Sequence, residues 1–413
     1  MSSVYLDNAA STRPLDEVVH LMANVATDQF ANPSSAHAAG AAAARQLEAA
    51  REELAGTLGA APAEVVFTSG GTEANGLAVH GATSRARGRH LVVSAIEHPA
   101  VLRNAERLAD ERGFEITWVL PDTSGFIDPA QVAAALRPDT ALVAVMLVNN
   151  ELGTVQPVAE IARALAMRAA ETGQRRPHFH VDAVQGFGLL AVRPALLGAD
   201  SLALSAHKVH GPKGVGALWL RAGARLAPFW EGGGQERGIR SGTENLPGIV
   251  GFARAATRAA QAGATGAAAR IAALRDDLET RIRQLVPAAH PTVPVDPTPL
   301  APGARATAGG GSVLAVRAPH ISSLCFPRCP AEPLLHALAA RGVTASAGSA
   351  CASKLRGPSH VLKALGVIDD DTAVLRFSLS RFTTAEEIGV AAQAVAAAVA
   401  ELAPSSRRPG RWP

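Results

Sequence analysis

Only four of the chain's 39 lysines and arginines are lysine. A lysine kept in so arginine-rich a background points to an amine that must be able to lose its proton. Lys208 is the candidate. It closes the run Ser205-Ala206-His207-Lys208 and is followed by Gly211-Pro212-Lys213-Gly214. A guanidinium stays charged, whereas a lysine amine can shift its pKa and form a Schiff base with a carbonyl. Residues 200–204 before it read as a buried strand. Lys208 would then sit on a Gly-bounded turn at the C-terminal end of that strand, where α/β sheets bind ligands. Taken alone, the same lysine reads more readily as a surface residue of a Gly/Pro loop. Five further segments change that balance.

Ser69-Gly70-Gly71-Thr72-Glu73 follows the strand-like Val65-Val66-Phe67-Thr68 and opens a helical pattern. Unpaired N–H groups and the helix dipole make such a start receptive to phosphate, and glycines allow close approach. Many such turns hold only glycines, however. His178-Phe179-His180-Val181-Asp182 ends another strand on a carboxylate, with Gln185 just beyond. The acid can pair with a protonated ring nitrogen and the amide with a ring hydroxyl, although an isolated Asp there is most simply a helix N-cap. Glu97-His98-Pro99 leaves His98 between a strand and a helix whose first turn accepts the proline. A lone His there is usually structural. Asn149-Asn150-Glu151-Leu152-Gly153 brings amides to the same side of the sheet. Finally, Gly348-Ser349-Ala350-Cys351-Ala352-Ser353 sets a thiol among small residues rather than the apolar neighbours of a structural Cys. Together these segments describe a phosphate-bearing aromatic cofactor held by Lys208, with a nucleophilic Cys351 brought in from elsewhere in the chain.

The elements that must position these groups follow from periodicity. Strand-like runs at 65–68, 90–96, 114–119, 141–148, 178–183, 202–205 and 215–220 alternate with helical patterns at 72–87, 99–112, 129–136 and 158–172. This alternation predicts a mostly parallel sheet covered by helices on both faces. The Ala-rich segment 38–58 reads as a helix outside that sheet. A long helical stretch at 247–285 leads away from it, and 290–311, rich in Pro, Gly, Ala and Thr, reads as a loop or insertion. A second α+β unit follows, with strands at 321–326, 343–346 and from 374 onward, and a helix at 331–340.

Composition narrows the function. At 413 residues, two domains are the default, and 48% apolar residues suffice for a large interior. A net charge of +3 without basic runs interleaved with aromatics gives no support for direct nucleic-acid binding. The first residues lack the pattern of a signal peptide, and no apolar stretch approaches membrane-spanning length, so a cytoplasmic protein that does not engage a membrane is expected. Three cysteines argue against a disulfide framework. Cys325 and Cys329 have C-x-x-x-C spacing but no evident third ligand, so no metal site is expected and both read as core or loop thiols.

At this point the chain resembles the cysteine desulfurases, in the class-V aminotransferase-like group of fold-type I pyridoxal-phosphate enzymes. The similarity runs from Tyr5-Leu6-Asp7-Asn8-Ala9-Ala10 through Asn32-Pro33-Ser34-Ser35 and residues 67–75 to Arg376-Phe377-Ser378-Leu379, and it includes residues 232–243. The Ser-x-His-Lys run marks the fold family; Gly-Ser-Ala-Cys351 with Pro358-Ser359-His360-Val361-Leu362 marks the desulfurases. The resemblance implies pyridoxal 5'-phosphate as cofactor, bound to Lys208, which also moves the substrate Cα proton. Asp182 would pair with the ring nitrogen, Gln185 with the ring hydroxyl, and His98 would stack on the ring and exchange protons with the substrate. Gly71, Thr72, Ser205 and His207 would hold the phosphate, with Thr243 reaching in from the second subunit of a homodimer. Asn150, also a cofactor contact, and Arg376 would engage the substrate carboxylate, assisted by Asn32. Cys351 would take sulfur from L-cysteine as a persulfide and pass it to an acceptor protein, an iron–sulfur scaffold or sulfur carrier.

The implied division is a large cofactor domain at 15–255 and a small domain made of 1–14 and 256–403. The small domain carries the Cys351 loop and the 290–311 insertion, and 404–413 is expected to be a disordered tail. Ala206 and His210 stand where relatives often carry Gly and Tyr, and Lys354-Leu355-Arg356-Gly357 after the thiol is unusual. Selenocysteine lyase, another class-V reaction such as transamination, and a non-catalytic sulfur-trafficking scaffold are the alternatives. Aminotransfer would not need Cys351.

Overall fold

The computed structural model describes residues 3–84, 86–294, 307–308, 312–313, 317–348, 359–367 and 372–402. Its frame is a seven-stranded sheet in the spatial order Val65–Thr68, Gly216–Leu220, Ser201–Ser205, His178–Asp182, Thr140–Ala144, His90–Ser94 and Glu115–Val119. All neighbours are parallel except Gly216–Leu220, which runs antiparallel to both of its own. Side chains alternate across the pleat. Val65, Phe67, Leu202, Leu204, Ala217 and Trp219 enter one core, while Val66, Ala203, Leu218 and Leu220 enter another on the opposite face. Strands buried on both faces read as continuous apolar runs, as in Ser-Leu-Ala-Leu-Ser at 201–205, where every position is buried.

Helices Gly71–Ser84 and Pro99–Arg112 cover one face, contributing Leu77, Val101 and Leu108. On the other face, Ala38–Leu58 lies against Leu246–Ala264, outside the sheet as its alanines suggest. The expected long helix at 247–285 is instead two, Leu246–Ala264 and Ala267–Leu285. The break falls at Gly266, whose φ of +82° is left-handed backbone that only glycine adopts without strain. The change of direction sends Leu278 and Ile282 into a second core with Leu324, Phe326, Leu375 and Phe377.

That second core sits on an antiparallel sheet of Thr372–Ser378, Ile321–Pro327 and His290–Pro291. Segment 290–311 is therefore not loop from its start, since His290 and Pro291 pair with Cys325 and Leu324, and Thr307–Ala308 pairs with Ser312–Val313. Cys325 and Cys329 are both free and buried. Val4–Tyr5 pairs in parallel with Val343–Thr344, so the chain's first strand joins the second core. The next residues then cross to the large sheet, where Thr12 and Leu15 donate backbone hydrogen bonds to His207 and His210. No helix among the described residues is long and apolar enough to cross a membrane.

Candidate active site

Ten of the residues singled out from sequence converge beyond the C-terminal ends of the parallel strands. A cavity of about 250 Å³ is lined there by Gly71, Thr72, His98, Asn150, Asp182, Gln185, Ser205, His207, Lys208 and Arg376, together with Ala9, Ala10 and Asn75. Lys208 follows strand Ser201–Ser205 in a single 3-10 turn, and its Nζ donates to the carbonyls of Ala9 (2.6 Å) and Ala10 (2.8 Å). The crossing segment from the second core thus supplies the first contacts of the amine. Gln185 leans on the same segment, donating through Nε2 to the Ala9 carbonyl at 2.8 Å while its Oε1 meets His320 at 3.2 Å.

Glycine is required where the helix begins. A Cβ on Gly71 would lie 2.8 Å from Val184 Cγ2 and 3.5 Å from Ser205 Cβ, so any other residue would fill the cradle between helix Gly71–Ser84 and the strand ends. Glu73, beside the exposed N–H groups, is neutralised by Arg240 at 2.9 Å and bonded by the Ser69 N–H. The opening is left electropositive, as a phosphate needs. Burial, then Lys208 and Lys213, pushes His207 down to about 4, so its ring is a neutral hydrogen-bonding group at neutral pH.

Asp182 ends its strand buried, accepting from Asn75 Nδ2 at 2.7 Å and from the Val184 N–H at 3.0 Å. His98 caps helix Pro99–Arg112, its Nδ1 accepting from the Ala100 N–H at 3.1 Å. That bond leaves Nε2 as the ring's exchangeable position. Burial lowers its pKa, opposed by Asp182 and reinforced by Lys208 and His360. The two adjacent asparagines divide their labour. Asn149 builds the turn, accepting from the Glu151 and Leu152 N–H groups and donating to the Ile96 carbonyl, while Asn150 lines the cavity.

Arg376, on strand Thr372–Ser378, is almost fully buried. It donates to the Asn150 carbonyl and to Asp7, both at 2.8 Å, and its Nε has no partner among the described residues. An orphaned guanidinium N–H beside a cavity suits an incoming carboxylate. Asn32 and Thr243 are both exposed and lie outside this cavity. Asn32 accepts from the Ser34 N–H, and Thr243 lines a separate cleft with Glu236 and Arg240. Cys351 lies outside the described residues. Gly348 before it and Ser359 after it are described, and His360 Nε2 bonds the Glu97 carbonyl at 2.8 Å.

Three residues escaped the sequence reading. Asn75 sits four positions after Gly71 on one helix face, and His180 two positions before Asp182 on one strand face, so both spacings could have revealed them. His320 had no such signal, because only the packing of the second core brings it to Gln185. It is buried, and burial holds its ring neutral, at about 3.

The residues fit pyridoxal phosphate: a glycine cradle at a helix start, an amine on a strand-end turn, and a buried carboxylate across from both. This is the site of a fold-type I pyridoxal-phosphate enzyme. The sequence matches the family described as aminotransferase class-V over residues 4–293. It is 41% identical over 394 residues to the cysteine desulfurase IscS of Anaeromyxobacter dehalogenans, spanning 94% of this chain and 90% of that one. It is 42% identical over 391 residues to a cysteine desulfurase of Cereibacter sphaeroides, spanning 94% and 93%. Among solved structures, a NifS-like protein superposes with a TM-score of 0.84 at 33% identity, covering 97% of this chain and 100% of that one. The chain belongs to the class-V aminotransferase family, and within it to the pyridoxal-phosphate-dependent cysteine desulfurases.

Proposed function

We propose that the protein converts L-cysteine and its own Cys351 thiol into L-alanine and a Cys351 persulfide, with the roles below. The supporting observation is that Lys208, Asp182, His98 and Arg376, from four separate stretches of chain, meet at one cavity. Pyridoxal phosphate, when bound, supplies an electron sink for negative charge at the substrate Cα. Gly71, Thr72, Ser205 and His207 hold its phosphate, with Thr243 of a second copy completing the cup in a homodimer. Asp182 pairs with the ring nitrogen and keeps it protonated, and Gln185 takes the ring hydroxyl. Arg376 and Asn150 orient the substrate carboxylate, with Asn32 assisting.

Lys208 moves the Cα proton, and His98 covers the ring and exchanges protons through Nε2. The Cys351 thiolate bonds to the substrate sulfur as the C–S bond breaks, and the carbon skeleton takes up protons and leaves as alanine. One thiol and one cysteine give one persulfide and one alanine, so no outside oxidant enters. We assign the two-part division at 15–255 and at 1–14 with 256–403, a cytoplasmic setting, and a protein acceptor for the persulfide sulfur.

Incubating the purified protein with L-cysteine and a reductant, and quantifying alanine and sulfide together, tests this reading. Equimolar products, lost in Cys351→Ala while the cofactor stays bound, are expected. Full sulfide release by that variant would remove Cys351 from the mechanism, and no alanine from a cofactor-loaded protein would point to another class-V reaction.

A further inference from the structure

Behind Asp182 a file of buried polar groups runs back through the sheet. Asn75 is 1% exposed and His180 and Ser201 are fully buried. Asn75 Nδ2 lies 2.7 Å from Asp182 Oδ2 and its Oδ1 lies 2.8 Å from His180 Nε2. His180 Nδ1 is 2.9 Å from Ser201 Oγ, which is 2.8 Å from His178 Nε2.

The direction of every bond follows from one end. A carboxylate only accepts, so the Asn75 amide nitrogen faces Asp182 and its oxygen faces His180. His180 must then carry its proton on Nε2, and Nδ1 accepts from the Ser201 hydroxyl. Ser201 Oγ in turn accepts from His178. Burial holds both rings neutral, at about 3, so each has one donor and one acceptor, as the file demands. Every donor points toward Asp182.

We propose that Asn75 and His180 are positioning residues that fix the rotation of the Asp182 carboxylate and hold its proton on the cofactor ring. The proposal rests on the reading that Asp182 meets the ring nitrogen. Asp182 otherwise accepts only the Val184 N–H among the hydrogen bonds of the described residues. Without Asn75 the Oδ2 edge would have no fixed donor and the carboxylate could turn. A carboxylate that has turned no longer meets the ring nitrogen in line, which weakens the hydrogen bond that keeps the proton on the ring.

The test uses holoenzyme loaded with pyridoxal phosphate labelled with ¹⁵N in the ring, comparing wild type with Asn75→Ala, His180→Leu, His180→Gln and Asp182→Asn. In Asn75→Ala and His180→Leu, the ring-nitrogen resonance should move off the protonated position. kcat should fall roughly tenfold in Asn75→Ala, the lower end for one hydrogen bond to a charged group, and by less in His180→Leu, whose lost bond is to the neutral Asn75 amide, with KM for L-cysteine held within about threefold in both. His180→Gln retains one donor and one acceptor and should recover most of both signals. A wild-type resonance and kcat in Asn75→Ala, with a displaced resonance in Asp182→Asn, would overturn the proposal. An unmoved resonance in Asp182→Asn itself would instead overturn the role given to Asp182. Should His180→Leu fail to fold, Ser201→Ala removes the donor to His180 Nδ1 and is expected to give a smaller displacement in the same direction; a wild-type resonance there would count against the file.

Discussion

Replacing Arg376 by Lys separates its two tasks. In the folded chain the guanidinium spans the Asn150 carbonyl and Asp7, and its Nε is left over among the described residues. Lysine has a single nitrogen, which can stay with Asp7 but cannot also serve Asn150 and an incoming carboxylate as a planar fork does. A hydrogen bond to a charged group contributes about 1.5–3 kcal/mol. At about 1.4 kcal/mol per decade, KM for L-cysteine should rise roughly 10- to 100-fold. The carboxylate is bound alike before and during bond breaking, so kcat should stay within about threefold. Arg376→Ala goes further. It strands Asp7, which is only 17% exposed, and a broken buried pair costs about 3 kcal/mol or more. Steady-state alanine formation against L-cysteine concentration, alongside thermal melting, measures both effects. A lowered melting temperature with unchanged KM in both variants would show Arg376 to be a strut between Asp7 and Asn150 and would refute the binding role.

Glu97 lies behind His98 with one oxygen bonded by the Met146 N–H and the other without a partner among the described residues. Burial first, and the charge of Asp182 second, push its carboxyl up to about 8. A raised folded pKa means the folded state binds more protons between about 4.5 and 8. Its contribution is therefore complete below the lower value and is lost as pH rises through the upper one. Glu97→Gln should accordingly gain melting temperature relative to wild type on going from pH 5 to pH 8, and a gap that is constant with pH would count against a protonated Glu97. Arg51 and Glu236 form a two-pronged pair at 2.7 and 2.8 Å, both nearly fully buried, and Glu236 also accepts the Phe67 N–H at 2.8 Å. Glu236→Ala should cost about 3 kcal/mol in denaturant unfolding, because it takes the two-pronged partner from a buried guanidinium and leaves it only the half-exposed Glu48 and the Val65 carbonyl; a loss below about 1 kcal/mol would show that those two partners suffice.

Much of the architecture was legible because strands buried on both faces leave a strong local signature. Val65–Thr68, Ser201–Ser205 and helix Ala38–Leu58 lie where their apolar patterns place them. Boundaries set by a single backbone torsion were less visible. Gly263-Ala264-Thr265-Gly266 interrupts an otherwise helical composition, but only the left-handed torsion at Gly266 shows that the helix ends there and does not run on through the glycines. Pairing of His290–Pro291 with the strand 30 residues later was hidden for another reason: two residues carry no period.

The residue types and local spacing by themselves determined which groups can do chemistry here, because an amine on a strand-end turn, a glycine at a helix start and a carboxylate at a strand's last position are local features. Tertiary structure decided what those groups touch. Ala9 and Ala10 reach Lys208 only because the first strand pairs with Val343–Thr344, which directs the following residues across the cavity. Asn75, His180 and Ser201 become one file only when helix Gly71–Ser84 packs on adjacent strands. Arg376 meets Asp7 across 369 positions of sequence. Contacts of that range follow from how two cores pack against each other, a property of the whole chain that no local pattern encodes.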